Sequence, residues 1–194
     1  SPYAGKGPFL VFTGAMDYWA NVDAVQWFAH DIFPKIRAKY HHAEFYIVGG
    51  KPTGPVQELS NLDGVSVTGR VPEVQPYLGH ADVVVCPMRI ARGVQNKVLE
   101  GMAMAKPVVA TGQAFEGISA IPGEEISVVD DPDGFAKSVC DLLEGSRGQA
   151  MGEAARERIL VDYGWSANLA RLEDMLHKKS SEKVTGSQPI RKIS

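Results

Sequence analysis

The chain has 194 residues, of which 44% are hydrophobic, and it carries a formal net charge of -3. This length suffices to bury a core without disulfides or metal ions. The slightly acidic balance argues against a general nucleic-acid-binding protein. No apolar run approaches the roughly 18 residues that a transmembrane helix needs, and the opening residues lack the apolar stretch of a secretory signal. Two cysteines, Cys86 and Cys140, lie in core-like patterns, which favours a reducing, cytoplasmic compartment.

Short runs of β-branched and aromatic residues alternate with helical patterns along the first two thirds of the chain. The runs that predict strands are Phe9–Phe12, Glu44–Val48, Val65–Thr68, Asp82–Cys86, Pro107–Ala110 and Ile126–Val129. Strands that are almost wholly apolar are buried on both faces. The alternation therefore predicts an α/β fold, with a parallel sheet of about six strands covered by helices on both faces.

The first helical pattern lies between the first two predicted strands. Its apolar stripe is Val25, Phe28, Ile32, Ile36 and Tyr40, spaced by three or four residues. Asn21 is of a residue type that favours the N-cap, and Pro34 predicts a kink. Shorter helices are predicted after Gly54-Pro55, over 74–78 and from near Asn96.

The last third of the chain predicts three consecutive helices, which begin at Asp131-Pro132, Ser146 and Ser166. From Lys178 onward the sequence is basic and poor in aliphatic residues, so little there can offset the entropy of ordering. We therefore predict a linker over residues 1–8, one domain over 9–177 and a disordered tail over 178–194. A basic tail of this kind also suits peripheral contact with an anionic membrane surface.

The loop after the fourth predicted strand concentrates positive charge. Arg89, Arg92 and Lys97 surround the expected helix N-terminus, and Gly93 allows close approach to the backbone. In an open parallel sheet, ligands bind outside the carboxyl ends of the strands, where helix N-termini present N–H groups to anions. This composition suits a diphosphate.

Glu100 follows Asn96 by four residues and Lys97 by three, which places these side chains on one helix face. A carboxylate at that position can accept hydrogen bonds from two hydroxyl groups of a ribose or another sugar. The alternative, which the spacing leaves open, is a solvated basic loop with Lys97 and Glu100 as an ordinary surface pair.

Several sequence blocks together resemble a known family. The blocks are Gly93-x-x-Asn-Lys-x-Leu-Glu100-Gly-Met-Ala-x-x-Lys-Pro-Val-Val-Ala-Thr111, Phe45-Tyr-Ile-Val-Gly49-Gly, Val67-Thr-Gly69-Arg-Val71, Val74-x-x-Tyr-Leu-x-x-Ala-Asp82-Val-Val-Val-x-Pro87 and Tyr163-Gly-Trp165-Ser. In order and spacing they resemble the retaining glycosyltransferases of family 4, which have the two-domain GT-B fold. The opening 13–25 and the 92–97 run most resemble sugar transferases of exopolysaccharide clusters, including those that accompany exosortase systems.

The resemblance implies a Rossmann-like donor-binding half of a GT-B enzyme, with the acceptor bound by a first domain that this chain lacks. Matching positions assign Glu100 to the donor ribose, and Lys97, Asn96 and Gly93 with the nearby backbone to the diphosphate and sugar. The remaining positions implied for the donor are Gly14 after the first strand, Gly69, Arg70 and Val71 beside the base, and Glu116 near the sugar.

Three positions depart from the family pattern. Arg92 stands where the family has the first glutamate of its paired motif, which makes Arg92 a candidate for phosphate or an acidic sugar. Ala15 and Ala20 stand where the family often has Arg and Lys that contact phosphate. We hypothesise that Arg89, Arg92 and Lys97 compensate for the two missing cations.

These observations predict transfer of a sugar from a nucleoside diphosphate to an acceptor glycan or lipid-linked glycan, with retention. No metal or other cofactor is expected, because the five histidines lack metal-ligand spacing. The alternative is a non-catalytic nucleotide-sugar sensor of the same fold. A phospho-acceptor signalling module is disfavoured, because Thr68-Gly69 stands where that class needs an aspartate.

Two other features have plainer interpretations. The run Gly49–Gly54 resembles a phosphate loop, but proline follows Lys51, so a simple turn is the more natural prediction. Trp19 falls in a predicted loop at the ligand edge, where it is either a packing residue or a platform for a sugar ring.

Overall fold

The computed structural model describes residues 1–163, and within them six parallel strands form one sheet in the order β3-β2-β1-β4-β5-β6. The strands are β1 (Phe9–Thr13), β2 (Glu44–Val48), β3 (Val65–Gly69), β4 (Val83–Cys86), β5 (Val108–Ala110) and β6 (Ser127–Val128). The strand order runs outward in opposite directions from the β1/β4 pair. Right-handed crossovers therefore place the connecting helices of the two halves on opposite faces. The predicted α/β, Rossmann-like fold is confirmed.

The first predicted helix is divided into three segments: α1 (Trp19–Trp27), a π-helical segment (Phe28–Ile32) and α2 (Phe33–Lys39). Pro34 lies in the first turn of α2 and has no N–H to donate, which explains the change of register at the predicted kink. The prediction of Asn21 as the N-cap is wrong. The cap position is Tyr18, and Asn21 lies within the first turn of α1, where it is 4% exposed.

The remaining helices follow the predicted order with shifted ends, except α6, which was not predicted. They are α3 (Gly54–Glu58), continued by a 3-10 turn over Leu59–Asn61, α4 (Gln75–His80), α5 (Asn96–Ala103), α6 (Gly112–Phe115), α7 (Pro132–Leu142) and α8 (Arg147–Asp162). Asp131 caps α7 as predicted, since its carboxylate accepts a hydrogen bond from the Gly134 N–H at 2.8 Å. The predicted helix from Ser166 and the predicted tail lie outside the described residues.

The core lies between the sheet and the helices, and its largest members are aromatic. Phe28 packs against Phe45 and Phe135, with ring centroids 4.5 and 5.9 Å away. Cys86 and Cys140 are both buried free thiols, in agreement with the packing role predicted for them. Burial raises the pKa of Cys86 to about 12, so this thiol stays protonated at neutral pH.

Residues 1–8 form no helix or strand, but Tyr3 is buried against the sheet. Its ring stacks on Phe9 at 4.4 Å and contacts Tyr46, and its hydroxyl donates to the Tyr77 carbonyl. The predicted linker therefore includes at least one anchored residue.

Residues 1–159 form one compact unit. Within residues 1–163, no helix is long and apolar enough to cross a membrane.

Candidate functional site

A cavity of about 550 Å³ opens at the carboxyl edge of the sheet, beside the point where the strand order reverses between β1 and β4. Its walls come from the ends of β1 and β2, the β3–α4 loop and the first turn of α5. The lining residues are Thr13, Gly14, Ala15, Asn21, Val48, Gly49, Gly50, Arg70, Val71, Val74, Val94, Gln95, Asn96, Lys97 and Glu100. Open parallel sheets bind ligands at this topological position.

The cavity brings together six of the ten residues predicted to contact the donor. These are Gly14, Arg70, Val71, Asn96, Lys97 and Glu100. Of the other four, Gly69 and Gly93 flank the lining loops, with left-handed φ angles of +68° and +69° that favour glycine. Arg92 and Glu116 are exposed and do not line the cavity. The sequence-predicted set therefore divides into a central group and a peripheral one.

Lys97 lines the cavity, and its side chain is half-buried. Nζ lies 3.3 Å from the Gln95 side-chain oxygen and 5.3 Å from the centre of the buried Phe12 ring. No carboxylate among residues 1–163 lies within ion-pair distance of Lys97. Burial lowers the pKa of Lys97 below its usual range, because desolvation disfavours the charged form. An anion entering the cavity would supply the missing counter-charge.

Glu100 lies on the same face of α5 as Lys97 and is exposed at the rim of the cavity. Partial burial of its carboxyl group raises the pKa of Glu100, and the nearby Lys97 ammonium opposes that rise. When ionised, the carboxylate can only accept hydrogen bonds, so it suits hydroxyl groups rather than phosphate. Acceptor and cation are thus separated along one helix face.

Of the three predicted cations, only Lys97 lines the cavity. Arg89 donates two hydrogen bonds, from Nε and Nη2, to the Asp23 carboxylate on α1. Its guanidinium carbon lies 5.3 Å from the centre of the Trp27 ring. The hydrogen bond to Asp23 raises the pKa of Arg89. The hypothesis of three compensating cations is therefore wrong for Arg89, whose charge already has a partner. Sequence could not reveal this pair, because the residues are 66 positions apart.

Sequence reasoning missed much of the wall formed by the ends of β1 and β2. Gly14 and Gly49 approach so closely that a Cβ atom on Gly49 would lie 1.7 Å from the Gly14 carbonyl oxygen. The sequence did contain a signal for Gly49 and Gly50: they directly follow β2, and ligands of open parallel sheets bind beyond the carboxyl ends of strands. Lys51 of the same loop pairs with Asp17 at 3.2 Å instead of lining the cavity.

A second cavity of about 470 Å³ adjoins the first and shares Val74 and Glu100 with it. Its apolar wall is formed by Leu78, Ala103 and Met104. The shared wall makes Glu100 the boundary between a polar compartment and a more apolar one. That division matches a ligand with a charged part and a flat apolar part.

Trp19 is the first residue of α1 rather than a loop residue, and it is 57% exposed beside Tyr18. Packing therefore does not account for Trp19. Within residues 1–163, no group of three or more His, Cys, Asp or Glu side chains is placed to hold a metal ion.

The chain matches the family of glycosyl transferases group 1 over residues 7–145. It is 30% identical over 160 residues to a GDP-mannose-dependent alpha-(1-6)-phosphatidylinositol monomannoside mannosyltransferase of Mycobacterium tuberculosis, a match that covers 74% of this chain and 41% of that protein. The crystal structure of TarM superposes with a TM-score of 0.71 at 18% identity, covering 89% of this chain and 36% of that one.

Anabaena HepE, solved with UDP-glucose, superposes with a TM-score of 0.65 at 13% identity, covering 89% of this chain and 49% of HepE. At these identities the two structures establish the fold alone. The chain spans less than half of the length of each of these proteins.

Proposed function

The chain belongs to the glycosyl transferases group 1 family, and from that membership we propose that it is the donor-binding half of a sugar transferase. The donor would be a nucleoside diphosphate sugar. The acceptor, a glycan or lipid-linked glycan in polysaccharide or glycoconjugate synthesis, would be bound by a region outside this chain. Such a division agrees with the fraction of its relatives that the chain spans.

One observation carries this proposal: Lys97 and Glu100 lie on one face of α5 and line a single cavity. The Lys97 ammonium and the N-terminal N–H groups of α5 would bind the diphosphate, because both favour anions. Glu100 would accept hydrogen bonds from the ribose hydroxyls. The base would then extend past Val71 into the adjoining, more apolar cavity.

The proposed chemistry is stabilisation of the leaving group. As the bond between sugar and phosphate breaks, charge develops on the departing diphosphate, and Lys97 with the α5 dipole would stabilise that charge. The sugar would react as an oxocarbenium-like centre and be transferred with retention. Because Lys97 supplies positive charge within the cavity, we propose that no metal ion is needed. Arg92, Gly93 and Glu116 would approach the sugar only from the periphery.

The direct test is binding of nucleosides and nucleoside diphosphates to the full chain, measured by calorimetry with uridine, UDP, guanosine and GDP. We expect one base to be preferred and Glu100→Ala to weaken both its nucleoside and its diphosphate about ten- to a hundred-fold, because hydrogen bonds to a charged acceptor are lost. Folding should be preserved, since Glu100 is exposed.

Glu157→Ala is the matched control, because Glu157 is an exposed glutamate on α8 away from the cavity lining. It should leave every affinity unchanged. Unchanged nucleoside affinity in Glu100→Ala would show that Glu100 does not contact the ribose, and absence of all nucleotide binding by the wild type would overturn the proposed function.

A further inference from the structure

The β1–α1 loop and the first turn of α1 line the donor cavity but carry no cation there, since their lining residues are Gly14, Ala15 and Asn21. A diphosphate beside this loop would need donors from another source. Main-chain N–H groups are the remaining candidates, because unpaired amides bind anions readily when they are held in a fixed orientation.

Two of the three consecutive N–H groups in this loop are already paired. The Gly14 N–H donates to the Val48 carbonyl at 3.0 Å, and the Met16 N–H donates to the Gly50 carbonyl at 2.9 Å. Between them, the Ala15 N–H has no acceptor within residues 1–163. Ala15 is exposed and lines the cavity.

The peptide unit that carries the Ala15 N–H also carries the Gly14 carbonyl, which is packed against Gly49. This peptide is trans, since the cis bond found among residues 1–163 is Gly7-Pro8. In a trans peptide the N–H points opposite to the carbonyl. The Ala15 N–H therefore points away from Gly49.

Asn21 fixes the next peptide unit of the loop. Its Nδ2 donates to the Ala15 carbonyl at 2.9 Å, and the Tyr18 N–H donates to the same oxygen at 3.3 Å. Asn21 is 4% exposed, and its buried Oδ1 has no hydrogen-bond partner in the described part of the chain. An unpaired buried acceptor destabilises a fold. The unpaired Oδ1 of Asn21 is thus unfavourable for folding, while Nδ2 of the same side chain holds the Ala15 carbonyl.

We propose that Asn21 is a positioning residue for the donor diphosphate: by holding the Ala15 carbonyl, it keeps the Ala15 N–H directed at the phosphate. This inference rests on the proposed function and adds the Ala15 N–H to the phosphate contacts proposed for Lys97 and the N-terminus of α5. A backbone donor here takes the place of a cationic side chain, for which the loop has alanine.

The test compares nucleoside with nucleoside diphosphate affinity of the full chain, using uridine with UDP and guanosine with GDP. In Asn21→Ala, diphosphate affinity should fall about ten-fold while nucleoside affinity is unchanged, because one hydrogen bond to a charged group is misdirected. This loss should persist at high salt, since a short N–H contact is screened far less than a full charge. Asn21→Leu, which keeps a similar side-chain size but has no Nδ2 donor and adds no charge, should lose as much.

Ser138→Ala serves as the control for lost stability, because it removes the Ser127–Ser138 hydrogen bond of 2.6 Å, whose two residues lie outside the donor cavity. Its affinities should match those of the wild type. Equal losses of nucleoside and diphosphate in both Asn21 variants, or no loss in either, would overturn the positioning role. If the wild type binds no nucleoside diphosphate, the proposed function itself fails, which separates the two results.

Discussion

Lys97 combines two properties that oppose each other before a ligand binds. Its ammonium group is charged, and it is partly removed from water with no carboxylate of residues 1–163 within ion-pair distance. Its ammonium group lies near the Phe12 ring and donates a hydrogen bond to the Gln95 side-chain oxygen. A buried cation of this kind is unfavourable for folding and favourable for binding an anion. The charge of Lys97 therefore affects the stability of the fold, the pH dependence of that stability and the affinity for anions.

Replacing Lys97 by Met retains the apolar stem and removes the charge. We expect diphosphate affinity to fall about ten- to a hundred-fold, nucleoside affinity to stay unchanged, and the diphosphate loss to shrink as salt is added. Calorimetry at two salt concentrations measures this. Lys6→Met, which removes an exposed charge outside the cavity lining, should change none of these values. A loss that ignores salt would contradict a charge contact.

The lowered pKa of Lys97 also predicts a pH dependence of stability. The folded state binds this proton less tightly than the unfolded state, so the unfavourable contribution is fully present below the folded pKa. It disappears as pH rises toward the unfolded value of 10.5. Thermal unfolding should therefore show the wild type gaining stability relative to Lys97→Met over that alkaline window. Parallel pH profiles for the two proteins would exclude the effect.

The ends of β1 and β2 form a wall made of backbone rather than side chains. A Cβ atom at Gly49 would overlap the Gly14 carbonyl, so Gly49→Ala should destabilise the chain by about 1 to 3 kcal/mol, as overpacking usually does. Nucleotide binding should weaken with it, because the wall must move. Gly54→Ala is the matched control, since no atom of the residues that the structure describes lies within 4 Å of its Cβ position. Denaturant unfolding measures both, and equal stability of the two variants would refute the close-approach argument.

Elements with a long apolar pattern were predictable from sequence, and single turns were not. All strands of the sheet were predicted within two residues of their ends, because apolar runs between Gly, Pro and Asp mark them. The four-residue helix α6 is too short to show periodicity, although the Thr111 hydroxyl caps it by accepting from the Ala114 N–H. Asn21 has the residue type of a cap but instead bonds to a carbonyl six residues before it. Its role depends on a loop conformation that local pattern does not encode.

The candidate site was predictable to the extent that its residues share one helix. Asn96, Lys97 and Glu100 follow each other on α5, and spacing alone placed them on one face. Residues contributed by other strand ends, such as Gly50 and Val74, become neighbours only through the sheet order. Arg89 looked equally cationic, yet Asp23 from α1 removes it from the site.

At the scale of the whole molecule, the chain should bind donors without transferring sugar. Transfer requires an acceptor held against the donor, and positioning of that kind supplies much of the rate. The chain spans less than half of its relatives, so we expect no glycosylated product above slow donor hydrolysis when it is incubated with donor and acceptor glycans. Product analysis by mass spectrometry tests this. Multiple turnovers by the chain alone would show that the acceptor site lies within it.

The central position of β1 has a consequence for the order of folding events. β1 pairs with β2 after an excursion of 35 residues, at Phe9 and Glu44, but reaches β4 only after 73, at Leu10 and Val83. Closing the longer loop costs more chain entropy, so the β3-β2-β1 half has the shorter route to assembly. The donor cavity takes walls from that half and from α5 beyond β4. It therefore comes into existence only when the two halves join, and a bound nucleotide would report that last step.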